Sequence, residues 1–387
     1  MLRFETAGES HGECLVATLT GLPAGIPISL SAINRELWRR QQGFGRGGRM
    51  KIETDTAEIV AGVRHSHTIG APIAIIIKNT DWKNWTEILP VEGINQNQKP
   101  VTRPRPGHAD LAGAIKYNYH DARYILERAS ARETAARVAV GAVAKALLNA
   151  FNIHVLSHVI QVGSAKIKRP ATWEDLVALN QKEEIFLNTV DPESEAAFKE
   201  VIDVAFRTGD TVGGVFEVVV RGLPIGLGSH ITWDTRLDGR LAQAIVSMQA
   251  VKGVEIGSAQ EQAESYGSKV QDTIGYSAEE RKYTRGSNKA GGLEGGITNG
   301  QDLIVRGFLK PISTLRRPLE SVDILTHESS PAAYERSDVS VVPAAGVIGE
   351  AMVAFVLAQA FLEKFGGDSM VETRRNFEGY CEQVRSF

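Results

Sequence analysis

The run Ser287-Asn288-Lys289-Ala290-Gly291-Gly292-Leu293-Glu294-Gly295-Gly296-Ile297-Thr298-Asn299-Gly300 leads into Asp302-Leu303-Ile304-Val305-Arg306-Gly307-Phe308. Glycine is costly to order. Five of them in residues 291–300 mark either a loose linker or a backbone that passes very close to something. Linkers are rich in Ser and Pro. This run instead holds Leu293 and Ile297 and ends in an apolar segment that reads as a strand. The expected element is a turn system held against a ligand on a rigid scaffold, where loops carry function.

Outward from that strand, residues 14–19, 73–77, 155–162 and 215–220 also read as strands. Helical periodicity is clear at 134–151, at 238–252 with Gly253 as its stop, and at 347–365, closed by Gly366-Gly367. Residues 170–208 are charged and helix-friendly, an elaboration on the main body. No low-complexity tract, internal repeat or clean linker interrupts the chain, so residues 1–387 read as one α+β or layered domain.

At 387 residues with 43% hydrophobic and 23% charged side chains, the composition is that of a soluble globular enzyme. A net charge of −3 points away from nucleic acid and from membrane surfaces as partners. Cys14 and Cys381 supply neither a disulfide framework nor a zinc set. The first residues lack the apolar run of a signal peptide. Residues 341–365, broken by Pro343, Glu350 and Gln359, read as a buried helix rather than a span. The expected address is the cytoplasm.

Two histidines sit in stiff turns. His11 lies in Gly8-Glu9-Ser10-His11-Gly12, where it is expected to be exposed and fixed, as an acid or base must be. His108 lies in Arg103-Pro104-Arg105-Pro106-Gly107-His108-Ala109-Asp110. Residues 39–49 mix four arginines with four glycines, a composition suited to gripping carboxylate or phosphate. It is not a dinucleotide fingerprint, which would follow a strand and open a helix. Arg128-Ala129-Ser130-Ala131-Arg132-Glu133-Thr134 begins the first strong helix, with Ser130 or Thr134 as a cap or as part of an anion site. Arg336-Ser337-Asp338 precedes the last one. His154 and His158 fall on a strand, and His65 and His67 share a strand face without a third ligand, so no metal site is expected. No phosphate-binding P-loop occurs.

In order, the blocks GESHG (8–12), RRQQGFGRGGRM (39–50), RPGHADL (105–111), RASARET (128–134), GDTVGG (209–214), SNKAGGLEGGITNG (287–300), KPIST (310–314) and RSDVSVVPAAGVIGEAM (336–352) resemble the chorismate synthase family over almost the whole chain. Departures are small: Glu13-Cys14 and Thr211-Val212 stand where many members carry other residues. The resemblance implies a β-α-β sandwich, a homotetramer, and a lyase of aromatic amino-acid biosynthesis. Such a lyase converts 5-enolpyruvylshikimate 3-phosphate to chorismate by 1,4-anti elimination of phosphate, needing reduced FMN without net redox change.

By the same resemblance, His11 protonates or stabilises the departing phosphate. His108 sits against the reduced flavin, and Asp338 assists removal of the ring proton by way of the flavin. Flavin contacts carry over to Arg128, Ala129, Ser130, Gln249, Ala250, Gly295, Lys310, Pro311, Ile312, Ser313, Thr314 and Arg336. Substrate contacts carry over to Ser10, Arg40, Arg46, Arg49, Arg105 and Arg132. A substrate with two carboxylates and a phosphate demands such concentrated cations, which are expected to be poorly ordered or water-bound without it. Two rivals remain: a bifunctional enzyme that also reduces flavin with NADPH, and a non-enzymatic polyanion binder. Since no dinucleotide fold is evident, an external flavin reductase is the expected source of reductant.

Overall fold

A computed structural model describes residues 1–46, 54–93, 100–335 and 337–387. The chain begins β1 (Arg3–Ala7), β2 (Cys14–Thr20), α1 (Leu30–Gln41), β3 (Ala57–Ala61), β4 (Ile73–Lys78), α2 (Asp110–Tyr117), α3 (Arg123–Ala129) and α4 (Thr134–Asn149). Next come β5 (His154–Val162), β6 (Ala165–Lys166), α5 (Trp173–Gln181), α6 (Pro192–Thr208) and β7 (Gly214–Arg221). It ends with α7 (Leu237–Val246), β8 (Val251–Ile256), β9 (Leu303–Leu309), α8 (Val342–Phe365) and α9 (Met370–Ser386).

One antiparallel sheet has the order β1-β2-β4-β3, the other β8-β9-β7-β5-β6. Along β4, Ile73, Ile75 and Ile77 alternate inward, the period that lets a sheet bury one face. α4 covers β2 and β4, while α8 lies on α4 and against β5 and β7. The layers therefore run sheet, helices, helices, sheet around one shared apolar core. This is the expected β-α-β sandwich. The residues reveal no repeat, yet the topology repeats. With the short β6 and helices α2, α3, α5 and α6 set aside, each half lays down two strands, a helix, two strands and a closing helix, with the fourth strand inserted between the second and third.

α8 is apolar on every side because it packs on every side. Of the described helices it alone is long and apolar enough to cross a membrane, and 89% of that stretch is buried in the molecule. It begins five residues before the expected start, with Pro343 in the first turn, where a missing N–H does no harm. At its crossing with α4, a Cβ on Gly141 would lie 2.2 Å from the Ala351 Cβ, so glycine sets how closely the two helices approach.

Two expectations are corrected. The helix expected at 238–252 stops at Val246. Val251, Val254 and Ile256 are drawn into β8 by pairing with β9, and Gly253 sits at its bulge rather than at a helix end. His65 and Ser66 are not on a strand face but in a left-handed turn, at φ 49° and 61°. The glycine run folds as a hairpin, Leu293–Glu294 against Ile297–Thr298, with Gly295 and Gly296 at φ 60° and 84°, the twist two-residue hairpins favour. Its close neighbour is the chain itself: a Cβ on Gly291 would lie 2.3 Å from Gly257 Cα, and one on Gly292 2.7 Å from the Asp302 carbonyl oxygen.

Residues 170–208 hold α5 and α6. Thr172 and Asp175 form a capping box before α5, and Asp191 caps α6 ahead of Pro192. Phe198 and Ile202 pack on Val159 and Val162 of β5, and Leu176 packs on Leu156 and Val219.

Candidate active site

The loop between β1 and β2 carries His11. Gly8 turns at φ +106°, and a Cβ there would lie 2.3 Å from the Cys14 carbonyl oxygen. Three hydrogen bonds clip the loop to the end of α3. Ser10 N donates to the Glu127 carbonyl at 3.0 Å, His11 N to Glu127 Oε2 at 2.8 Å, and Ser10 Oγ to Ser130 Oγ at 3.0 Å. The His11 ring stacks on Trp85, with centroids 3.9 Å apart, and its Nδ1 lies 2.9 and 3.1 Å from the Glu127 carboxylate oxygens. The expected exposure is corrected: Trp85 and Glu127 leave the side chain 13% accessible. Burial tends to raise the Glu127 carboxyl, but bonding and charge from His11, with Arg123, hold it below its ordinary value.

Beside this loop, two arginines share one acid. Asp55 accepts from Arg40 Nη1 at 3.1 Å and from Arg132 Nη1 at 2.6 Å. Arg40 also donates to Thr134 Oγ1 and the Ala131 carbonyl, and Arg132 to Asn79 Oδ1. Asn79 donates in turn to the carbonyls of Glu9 and Gly12, tying the arginines to the His11 loop. Burial pulls Arg40 down to about 10. Asp55 opposes that shift, while the positive charges of Arg132 and Arg46 add to it. Arg46, just after α1, lies 3.3 Å from Asp338.

His108 has an acid of its own. Its Nδ1 bonds to Asp110 Oδ1, and Asp110 Oδ2 accepts from Arg105 Nε at 2.8 Å. Arg105 Nη1 donates to Thr314 Oγ1 at 2.8 Å. Burial tends to raise the Asp110 carboxyl, yet the hydrogen bonds from His108 and Arg105 hold it well below the carboxylate range. Lys310 Nζ bonds the Gly107 carbonyl and Ser313 Oγ, both at 2.9 Å. Burial, then Lys252, lowers its pKa. Thr314 accepts from Ser337 Oγ through its carbonyl, and the Ile312 carbonyl accepts from Thr211 Oγ1. Pro311 lies between Lys310 and Ile312 in sequence.

The Gln249-Ala250 turn links the two histidine clusters. Gln249 Nε2 donates to Glu133, which also holds Thr6 and Arg137. Lys310 N donates to the Ala250 carbonyl at 3.0 Å. Ala250 adopts φ 67°, rare for a residue with a Cβ, and Gln249 Oε1 is buried without a partner. Arg128 reaches back to Thr6 and Gly8 from beside Ala129 and Ser130. Gly295 is not brought to this group. Its neighbour Gly296 accepts from Leu237 N at the start of α7, whereas Gln249 follows the end of that helix, about 15 Å along for ten residues. Arg49 and Arg336 lie outside the described residues.

Arg40, Arg105 and Arg132 are not loosely held, contrary to expectation: Asp55, Asp110, Asn79, Thr134 and Thr314 fix them. Buried cations need such partners with or without a ligand. Two histidines with Nδ1 set on a carboxylate, beside fixed guanidinium groups, can move protons next to a bound polyanion. Sequence reasoning missed Asp55, Asn79, Trp85 and Glu127. Asp110, two residues from His108, and Glu127, beside Arg128, stood next to residues already singled out; Asp55 and Asn79 carried no local signal.

The sequence profile described as chorismate synthase matches residues 2–362. The chain is 78% identical to the chorismate synthase of Solibacter usitatus, with 100% of each chain covered. It is 55% identical to that of Aquifex aeolicus, covering 100% of this chain and 99% of the relative. A crystal structure of chorismate synthase superposes with a TM-score of 0.79 at 45% identity, over 100% of this chain and 99% of the other. The chain thus belongs to the chorismate synthase family, carbon–oxygen lyases of aromatic amino-acid biosynthesis.

Proposed function

We propose that this chain eliminates phosphate from 5-enolpyruvylshikimate 3-phosphate to give chorismate, with reduced FMN bound. The observation that carries this reading is the placing of fixed arginines, Arg40, Arg132 and Arg105, beside two carboxylate-held histidines. In the reaction a ring C–H bond and the C–O bond to phosphate break. The C–H electron pair enters the ring, a conjugated diene forms, and phosphate leaves with the C–O pair. Nothing is oxidised or reduced overall.

Arg40, Arg46, Arg105 and Arg132, with Ser10, bind the phosphate and carboxylates, and Arg49 joins them from outside the described residues. His11 gives a proton to, or stabilises, the leaving phosphate. Asp338 assists removal of the ring proton, and His108 holds a proton beside the cofactor. The residues present suit a flavin: the unpartnered Gln249 Oε1 awaits an N–H donor, and Arg128–Ser130, Ala250 and Lys310–Thr314 line the same region. Of the flavin set carried over from the family resemblance, Arg336 lies outside the described residues and Gly295 lies at the far end of α7 from Gln249. The flavin, when bound, supplies electron density to the breaking C–O bond.

The cytoplasm is the proposed location, an external flavin reductase the source of reduced FMN, and a homotetramer the assembly. Exposed Ile231, Trp233, Tyr266 and Ile274 are surfaces a second copy would cover. The test is anaerobic turnover with chorismate absorbance and phosphate release followed together. Equal yields with reduced FMN alone support the reading. Products with oxidised FMN plus NADPH would add a reductase activity, and no product under any condition would overturn the lyase reading.

A further inference from the structure

We propose that Glu127 is a positioning residue for His11, fixing the ring with its proton on Nδ1 and leaving Nε2 as the atom that exchanges a proton. The inference rests on the reading of His11 as an acid. Both carboxylate oxygens of Glu127 lie within 3.1 Å of Nδ1, and the same carboxylate accepts from His11 N at 2.8 Å. Backbone and ring are therefore held by one group. An ionised carboxylate can only accept, so the nitrogen facing it carries hydrogen.

Glu127 is itself held. Its side chain is 2% exposed, and Arg123 Nη1 stands 3.6 Å from Oε1. Arg123 also donates to Glu335 at 3.0 Å, and its guanidinium lies 5.3 Å from the centre of the Trp85 ring. Trp85 is thus in contact with both His11 and Arg123, and its Nε1 donates to Asp81. The ring of His11 can neither turn over nor swing away without breaking the carboxylate contact or the stack. This is the arrangement a directional proton donor needs: Nδ1 is tied to a carboxylate, so proton exchange falls to the other ring nitrogen.

The experiment labels histidine with 15N and reads the His11 ring nitrogens by long-range correlation across pH, using His11→Asn for assignment. Wild type is expected to keep hydrogen on Nδ1 at every pH, with Nε2 alone exchanging. Glu127→Gln, whose amide oxygen still accepts, should keep that tautomer and much of the turnover. Glu127→Ala should move hydrogen to Nε2 and lower kcat on the order of 10²-fold, with KM within about threefold. A wild-type ring with hydrogen on Nε2 and a bare Nδ1 at any pH overturns the proposal. So does a Glu127→Ala protein with wild-type tautomer and kcat. If Glu127→Ala does not fold, Glu127→Gln and wild type still decide the tautomer. The ring measurement needs neither substrate nor flavin, so it is separable from the lyase reading, which fails if wild type itself has no turnover.

Discussion

Arg132 and Asp55 meet at 2.6 Å with side chains 2% and 0% exposed, and Arg40 joins the same carboxylate at 3.1 Å. One acid therefore keeps two buried cations together. Asp55→Asn should cost about 3–5 kcal/mol of stability, the scale for breaking a buried pair from one side. Added substrate should raise its melting temperature more than it raises that of wild type. Urea and thermal unfolding with and without substrate check both; an unchanged midpoint would show that Asp55 does not hold the arginines.

The buried acids of the site make stability fall in acid. Glu127, Glu133 and Asp110 all have lowered folded-state pKa values. Their contribution is fully present above the unfolded carboxylate value of about 4, and it is lost as pH falls towards the folded values. Urea midpoints should therefore drop between about pH 5 and 3. Asp110→Asn should flatten part of that slope, and an identical slope in the variant would count against the assignment.

Glu350 of α8 accepts from Arg39 Nη1 and Nη2 at 2.7 Å each and from Ser157 Oγ at 2.6 Å, and it pairs with Lys145. Glu350→Gln should destabilise by about 3–5 kcal/mol. The double variant Arg39→Met/Glu350→Met should recover much of that, because it removes both charges at once. A double-mutant cycle in urea measures the coupling, and additive losses would mean the pair is not a unit.

Gln249 offers a buried oxygen with no partner. Gln249→Leu should weaken flavin binding about tenfold, the loss of one hydrogen bond to a group left unsatisfied, and lower the melting temperature of the flavin-free protein slightly through the lost bond to Glu133. Flavin titration by fluorescence tests this; equal affinity would remove Gln249 from the flavin site.

Much of the scaffold was legible because its strands and long helices are written in local periodicity: β4, β5, β7, β9, α4 and α8 lie within a few residues of expectation. β8 was hidden because Lys252, Gly253 and Glu255 dilute its apolar pattern, and only pairing with β9 makes it a strand. His11, His108 and the arginines stood out by their glycine and proline surroundings. Their acids did not. Asp55 is 15 residues from Arg40 and Glu127 is 116 from His11, separations at which folding alone decides the contact. The turn at the glycine run was legible in its composition, but its close approach to Gly257 and to the strand it precedes was not.

The most direct test of the central claim is to measure, for His11→Ala, His108→Ala and Asp338→Ala, anaerobic turnover with reduced FMN beside the dissociation constant for substrate. In each variant kcat should fall on the order of 10²–10⁴-fold, the range of lost acid–base catalysis, while substrate affinity stays within about tenfold of wild type. Undiminished turnover in all three would contradict that claim, and would leave the arginines as a polyanion site with no chemistry of its own.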